Sequence, residues 1–130
     1  MVKKCLIVSS IIDSLGLCKV PALSIIGDFS LEMEARLIQA IAGLDVSPEA
    51  LHLIGERIVH MEKIFNIRQG GNPDDDSLPD LFLQTPIEKG PIQGRKVNLA
   101  PMVQEFYQSM GWDEHGRPTQ NILHKFDLSE

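Results

Sequence analysis

The feature that most constrains the fold of this chain is an apolar run at its start, which is followed by a glycine. Residues 2–15 are mainly apolar and favour a helix. Gly16 follows, and glycine most readily takes the left-handed conformation that ends a helix. The helix is apolar around most of its circumference, which is typical of helices buried on several sides. Its cover must come from the rest of the chain, from a second copy, or from further polypeptide.

A carboxylate and a thiol stand on either side of that glycine. Asp13 falls in the last turn of the predicted helix, where it faces the negative end of the helix dipole, so we expect a donor group nearby. Leu17 and Cys18 lie on the exit loop. Cys18 is either a small buried side chain or an accessible thiolate beside Lys19 that ligates a metal or reacts. Cys5 lies within the helix, and we interpret it as a core residue.

The composition is that of an ordinary globular chain. Its 130 residues fit one domain, and 43% hydrophobic residues allow a buried core. A net charge of −6 with scattered basic residues argues against nucleic-acid binding. Two cysteines in a chain without a secretion signal indicate reduced thiols, and the first apolar run is too short to span a bilayer. We therefore expect a cytoplasmic protein.

A second helix is predicted after an irregular connection. Residues 19–30 form that connection, with Pro21 preventing a helix and Gly27-Asp28 near its end. Ser30 is the expected N-cap of a helix from Leu31 to Gly43. Its apolar positions at helical spacing are Leu31, Ala35, Ile38, Ile41 and Ala42.

The third helix has the clearest start signal. Ser47 is the expected N-cap, Pro48 the first helical residue and Glu49 the next, and the helix should run to about Ile67 before Gly70-Gly71. The predicted inward stripe consists of Leu51, Ile54, Ile58, Met61 and Phe65. The predicted outward face is charged and consists of Glu56, Arg57, Glu62 and Lys63.

Residues 72–97 read as an ordered, proline-rich crossover loop, because four prolines exclude a continuous helix. Its expected apolar anchors are Leu78, Leu81, Phe82 and Leu83. A fourth helix is predicted from Leu99 to Met110, with Asn98 as its cap and Gly111 as its stop. Trp112 should fold back over its last turn. The expected stripe is Met102, Val103, Phe106 and Met110.

The rest of the chain predicts a turn over residues 113–116 and a short fifth helix that Thr119 caps. That helix is centred on Ile122, Leu123 and Phe126. Together these patterns predict an all-α fold, an irregular bundle of about five helices in a single domain, residues 1–130.

Five motifs give the chain a family resemblance. Asp13-Ser14-Leu15-Gly16-Leu17-Cys18 resembles the D-x-x-G-L-C motif in the C-terminal helical domain of tungsten-containing aldehyde ferredoxin oxidoreductases. Four further motifs follow in the order and approximate spacing of that family: Gly55-Glu56-Arg57, Phe65–Gly70, Asp75–Pro79 and Gly111–Thr119.

The resemblance implies a place for the chain in a redox enzyme. Asp13 would accept hydrogen bonds from the amino-pyrimidine edge of one molybdopterin of a tungsten bis-pterin cofactor, and Leu17 would line that site. Cys18 would be the fourth ligand of a four-iron four-sulfur cluster. The family's other three ligands come from a C-x-x-C-x-x-x-C run, which this chain does not contain.

By the same resemblance, the partners would be the enzyme's N-terminal pterin-binding and middle domains, with ferredoxin as electron acceptor. Whole enzymes of this kind oxidise aldehydes to carboxylic acids. We expect no cluster, no tungsten and no turnover in the isolated chain, and self-association through the exposed face of the first helix. A rival hypothesis is a helical interaction module without redox activity.

Three other groups of residues invite a functional interpretation. His52, Glu56 and His60 share a helix face at spacing four, but a solvated face is the favoured interpretation over a metal site. Asp74-Asp75-Asp76 lacks the spacing of a calcium loop and predicts a surface turn. The Trp112 region is expected to act as a helix cap and core anchor.

Overall fold

The computed structural model describes residues 1–20 and 29–128. Pro21 and Gly27-Asp28 of the expected irregular connection lie outside the described residues, whereas its first two residues, Lys19 and Val20, are helical. Helices form the regular structure, namely α1 (Val2–Ser14), α2 (Glu32–Ala42), α3 (Pro48–Arg68), a 3₁₀ helix (Pro73–Asp75), α4 (Asp80–Gln84), α5 (Leu99–Met110) and α6 (Gln120–Lys125). The described ranges contain no strand, which confirms the all-α prediction.

The chain divides into two compact units, Met1–Phe65 and Asn66–Glu130. The first unit is built from α1, α2 and most of α3. The second holds α4, α5 and α6. α4 is an additional short helix inside the predicted crossover, so the described part of the chain has six α-helices where five were expected. That the chain is one domain stays a prediction.

The core of the first unit forms where α1 meets the starts of α2 and α3. Its buried apolar cluster consists of Val8, Ile11, Ile12, Leu31, Ala35 and Leu51. Cys5 is only half-buried, so its interpretation as a core residue is wrong. The buried face of α1 centres on Ile11, and Cys5 lies at the edge of that face at 100° per residue.

α1 and α3 approach each other closely at Gly55. A Cβ atom at this position would lie 2.7 Å from the carbonyl oxygen of Ile7 and 2.9 Å from its Cγ2. The Ser10 hydroxyl donates to the carbonyl oxygens of Gly55 at 3.2 Å and Ile7 at 2.8 Å. About two turns before Ser10 on α1, Lys3 Nζ lies 2.7 Å from Glu56 Oε1. Backbone packing, a hydroxyl and an ion pair therefore join these two helices.

This approach determines which face of α3 is buried, and the predicted inward stripe is wrong for most of its length. The unit buries Leu51, Gly55 and Val59, together with Glu56 and His60. Three members of the predicted stripe are instead exposed, Ile54 by 46%, Met61 by 45% and Phe65 by 62%. The placement of Glu56 on a charged outward face is also wrong, since it is 8% exposed and paired with Lys3.

The start of α3 is as predicted. The Ser47 hydroxyl accepts the N–H of Ala50 at 3.2 Å, and Pro48 is the first helical residue. Hydrogen bonds from the backbone N–H of Glu49 and from the Ser47 hydroxyl lower the pKa of the Glu49 carboxyl. A carboxylate in the first turn is also favoured by the helix dipole.

α2 begins one residue later than predicted. Leu31 occupies the N-cap position with φ of 64°, a left-handed conformation that costs a leucine about 1–2 kcal/mol. Its side chain is fully buried in the core cluster. Ser30 accepts the N–H of Glu32 at 3.3 Å from the preceding position. Gly43 ends the helix as expected, but Ile41 and Ala42 are exposed, because the buried face centres on Leu31 and Ala35.

In the second unit, the crossover has ordered turns with little burial. Asn72 caps the 3₁₀ helix by accepting the N–H of Asp74 at 2.8 Å, and Asp75 Oδ2 accepts the N–H of Asn72 at 2.8 Å. The prediction of a surface turn at Asp74-Asp75-Asp76 is confirmed. The expected apolar anchors Leu78, Leu81 and Phe82 are exposed, because α4 is too short to bury more than Leu83 partly.

The core of the second unit lies around the end of α5. Gly111 is left-handed, and the N–H of Trp112 donates to the carbonyl of Tyr107 at 2.9 Å, which closes the helix end. The Trp112 ring packs edge-on against Phe106 at 5.5 Å and lies 5.9 Å from the Tyr107 ring. The prediction of a cap and core anchor is confirmed. Met102, an expected stripe residue, is exposed.

The last segment folds back onto this helix end. Asp113 Oδ1 accepts the N–H groups of His115 and Arg117, each at 2.9 Å, so the predicted turn is confirmed. Thr119 is at the N-cap of α6, but its hydroxyl donates to the Gly111 carbonyl at 2.9 Å and makes no capping hydrogen bond. Phe126 completes the core.

We expect Gly55→Ala to destabilise the first unit. A methyl group there overlaps the backbone and side chain of Ile7. Overpacking of this kind costs about 1–3 kcal/mol, which exceeds the gain in helix propensity of about 1 kcal/mol. Urea denaturation measures the change. Glu62→Ala, at an exposed position of the same helix, is the control and should change stability by less than about 0.5 kcal/mol. Equal midpoints for the two variants would contradict the close approach.

Tyr107 gives the second unit a pH dependence. Its hydroxyl donates to a carboxylate oxygen of Asp76, and its ring is buried. Burial, and then the Asp76 carboxylate, raise the pKa of Tyr107 above the ordinary value of 10.0. The folded state therefore favours the protonated phenol. This stabilisation is complete below pH 10 and is lost as the pH rises toward the folded-state pKa.

Accordingly, we expect the unfolding midpoint to fall above pH 10 more steeply in the native chain than in Tyr107→Phe. The chain has one tyrosine, so ultraviolet absorbance of the phenolate reports this residue alone. Phenolate absorbance should appear only as the chain unfolds. A phenolate that forms at the ordinary pKa in the folded chain would refute the role of Asp76.

Candidate functional site

The end of α1 presents the three residues that the sequence singled out. Gly16 has φ of 67°, and its N–H donates to the Asp13 carbonyl at 3.0 Å. The N–H of Leu17 donates to the Ile12 carbonyl, also at 3.0 Å. These two bonds form the glycine-ended helix cap that the sequence predicted. They hold the backbone between Asp13 and Cys18 in a single tight reversal.

Asp13 has the nearby donor that its position predicted. Lys19 Nζ lies 2.6 Å from Asp13 Oδ2, and the side chains are 46% and 58% exposed, respectively. The last turn of α1 holds no basic side chain, so Lys19, which is helical and follows the loop, supplies the charge that α1 itself lacks. An exposed ion pair of this kind contributes about 0–1 kcal/mol. Another donor can therefore replace Lys19 at little cost.

Leu17 anchors the exit loop. Its side chain is half-buried and packs against the core cluster of the first unit. With its N–H bonded to Ile12, this residue is held by both backbone and side chain. Asp13 is therefore held by α1 itself, and Cys18 follows directly after a firmly attached residue of the loop.

Cys18 is exposed, which favours the accessible thiol over the small buried side chain. The other cysteine, Cys5, lies near the start of α1, whereas Cys18 lies beyond its end. Among the described residues, neither cysteine belongs to a group of three or more side chains that could hold a metal ion. The chain therefore offers one thiolate at this place, and an iron–sulfur cluster commonly takes four.

These residues fit a shared cofactor site in their chemistry. A thiolate is the usual ligand of an iron–sulfur cluster, and Cys18 is accessible enough to be one ligand of four. A carboxylate accepts two adjacent N–H groups, and Asp13 is more than half exposed. The arrangement can form part of a site whose remaining ligands lie on other polypeptide.

The histidine face of α3 does not form a metal site. His60 is fully buried, and Glu56 is buried beside Lys3. The interpretation of this face as solvated is therefore wrong for two of its three residues. Among the described residues, no group of three or more potential ligand side chains is placed to hold a metal ion.

Sequence reasoning missed the pair formed by Tyr107 and Asp76. Their side chains are joined by a hydrogen bond although the residues are 31 positions apart. They belong to the lining of an open cleft of about 490 Å³, whose apolar floor includes Leu99 and Val103. The sequence pattern does not indicate this pair, because a contact between residues 31 positions apart leaves no periodic spacing.

No helix in the described ranges combines the length and the apolar character that a membrane crossing requires.

Comparisons with known proteins agree with the motifs. The family model for aldehyde ferredoxin oxidoreductase, domains 2 and 3, matches residues 1–128. The tungsten-containing aldehyde ferredoxin oxidoreductases of Pyrococcus furiosus and Thermococcus kodakarensis are each 34% identical to the chain over 123 residues, or 94% of it. The aliphatic sulfonate oxidoreductase, WOR-like subunit, of Pyrococcus furiosus is 32% identical over 102 residues, 70% of this chain and 16% of that subunit.

The match covers only part of these relatives. The chain spans 20% of the length of both tungsten-containing proteins. The resemblance drawn from the five motifs is confirmed, and the similarity extends across nearly the whole chain.

The exposures of the two cysteines predict an order of alkylation. Cys18 is exposed and Cys5 is half-buried within α1, so a maleimide reagent should label the folded chain in one fast and one slow step. Cys18→Ser should remove the fast step, and the matched variant Cys5→Ser should remove the slow one. Mass spectrometry of the labelled peptides measures both. Faster labelling of Cys5 would contradict the placement of the exit loop.

Proposed function

The chain belongs to the aldehyde ferredoxin oxidoreductase family, and from this we propose that it is the C-terminal helical portion of such an enzyme. The whole enzyme would oxidise aldehydes to carboxylic acids in the cytoplasm and pass electrons to ferredoxin. This chain would supply one pterin contact and one cluster ligand. The observation that supports the proposal most is the exposed acid and thiol on either side of a rigid helix end.

Asp13 is the proposed pterin contact. Its carboxylate would accept two N–H groups from the amino-pyrimidine edge, a planar donor pair that suits two carboxylate oxygens. Lys19 now occupies Oδ2, so it would move aside when the pterin binds. Because this ion pair is exposed, the exchange costs little. Leu17 would line the site from its anchored position.

Cys18 is the proposed cluster ligand. The other three thiolates would come from a C-x-x-C-x-x-x-C run on polypeptide that carries the pterin-binding domain. When bound, the tungsten cofactor would supply the two-electron oxidation of the aldehyde, and the cluster would supply the route to ferredoxin. The part of this chain is to hold a thiolate and a carboxylate at fixed positions on one reversal.

The isolated chain would not turn over. It has two cysteines, and only Cys18 lies at the proposed site. The activity requires the companion polypeptide, which we define as the polypeptide of the same source that carries the C-x-x-C-x-x-x-C run, either continuous with this chain or separate. The family's N-terminal pterin-binding and middle domains would lie on it.

The complex with the companion polypeptide tests the proposal. Purified anaerobically, it should contain about four iron atoms and four sulfides per protomer. Cys18→Ser should lower the iron content and change the electron paramagnetic resonance signal of the cluster, whereas Cys5→Ser should leave both unchanged. Asp13→Asn should lower the tungsten and pterin content and leave the iron unchanged.

If Cys18→Ser has the same iron content as the native complex, the proposed redox role is refuted. A complex that still forms in that case would favour the rival hypothesis, a helical docking module. Absence of any companion polypeptide from the source would also exclude the redox role.

A further inference from the structure

The longest helix of the chain leaves its most apolar side uncovered. Ile54, Met61 and Phe65, which we call the α3 stripe, lie within about 40° of one another at 100° per residue. All three are 45% exposed or more. Ile58 lies on the same side, is half-buried and packs against the core cluster. The α3 stripe therefore begins beside the core and continues outward along the helix.

The packing of the first unit requires this exposure. α3 turns Gly55 toward α1, and only a residue without a side chain allows that approach. The buried face is then fixed by Gly55, Val59 and the paired Glu56. Rotating α3 to bury the stripe would break the Ser10 hydrogen bond and the Lys3 ion pair. The unit cannot cover the stripe without losing its own contacts.

We propose that the α3 stripe is the surface through which this chain docks on the companion polypeptide. The inference rests on the proposed function. Exposed apolar rows of this kind mark interaction sites. The chain spans one-fifth of its relatives, and the other four-fifths of their length lies outside it. We therefore infer an apolar face of that larger polypeptide as the occupant.

Docking through the stripe would also place the proposed site. α3 is joined to α1 at Gly55 by backbone contact, the Ser10 bond and the Lys3 ion pair. The end of α1 carries Asp13 and Cys18. A partner that binds α3 would therefore also fix the positions of Asp13 and Cys18, because α1 and α3 are rigidly joined.

The test compares variants of the chain in binding to the companion polypeptide. The combined variant Ile54→Lys/Met61→Lys/Phe65→Lys should weaken association by about a hundredfold or more, because three apolar side chains are lost from the interface. The control Glu62→Lys/Asn66→Lys places charges at exposed positions of the same helix outside the stripe and should bind as the native chain does. Titration of fluorescently labelled chain measures both affinities.

Thermal unfolding of each free variant separates docking from folding. The stripe variant should unfold at the same temperature as the native chain, since its three positions are exposed. Unchanged binding by the stripe variant, or no binding by the native chain, would overturn the inference. The inference would also be overturned if sedimentation showed that the free native chain is a dimer and the stripe variant a monomer. A second copy of the chain would then be the occupant of the α3 stripe.

The two proposals fail in different ways. If the stripe variant loses binding while Cys18→Ser leaves the iron content unchanged, the docking surface stands and the redox role falls. If Cys18→Ser removes iron but the stripe variant binds normally, the cluster ligand stands and the docking surface falls.

Discussion

The close approach of α1 to α3 at Gly55 is the contact on which the first unit depends. A side chain at that position would overlap the backbone of Ile7, so the helices can approach this closely only because residue 55 is glycine. Ser10 and Lys3 then find partners on α3 in that same setting. One register of the two helices therefore satisfies the steric, hydrogen-bonding and ionic requirements together.

This register separates the roles of the two helices. α1 buries the face formed by Ile7, Val8, Ser10, Ile11 and Ile12, carries Asp13 in its last turn, and ends at the loop with Cys18. α3 buries Leu51, Gly55, Glu56, Val59 and His60 and leaves Ile54, Met61 and Phe65 exposed. The proposed functions follow this division, with cofactor contacts at the end of one helix and docking along the side of the other.

The sequence predicted the helices and their ends well, because ends depend on local chemistry. Gly16, Gly43 and Gly111 take left-handed conformations where expected, and Ser47 caps α3. The placement of Asp13 beside a donor was also predictable from the helix dipole, although the spacing alone did not identify Lys19. Both site residues with polar side chains are exposed, as an accessible site requires.

The buried face of α3 and the contacts between residues far apart in the sequence could not be predicted. Hydrophobic periodicity points to the most apolar side of α3, but the buried side was chosen by Gly55, whose contribution is the absence of a side chain. Glu56 looked like a surface charge because its partner is Lys3, far away in the sequence. The bond between Tyr107 and Asp76 likewise depends on the tertiary fold. The exposure of the crossover anchors follows from the shortness of α4, which propensity does not reveal.

The left-handed Leu31 makes the attachment of α2 depend on the core cluster. Its conformation opposes folding, and the burial of its side chain, about 1.5–3 kcal/mol, outweighs that strain only while the cluster is intact. Loosening of the cluster would remove the burial that offsets this strain, so it would favour detachment of the start of α2. Detachment of α2 ahead of the α1 and α3 pair would leave the helix end with Asp13 and Cys18 intact in a partly open molecule.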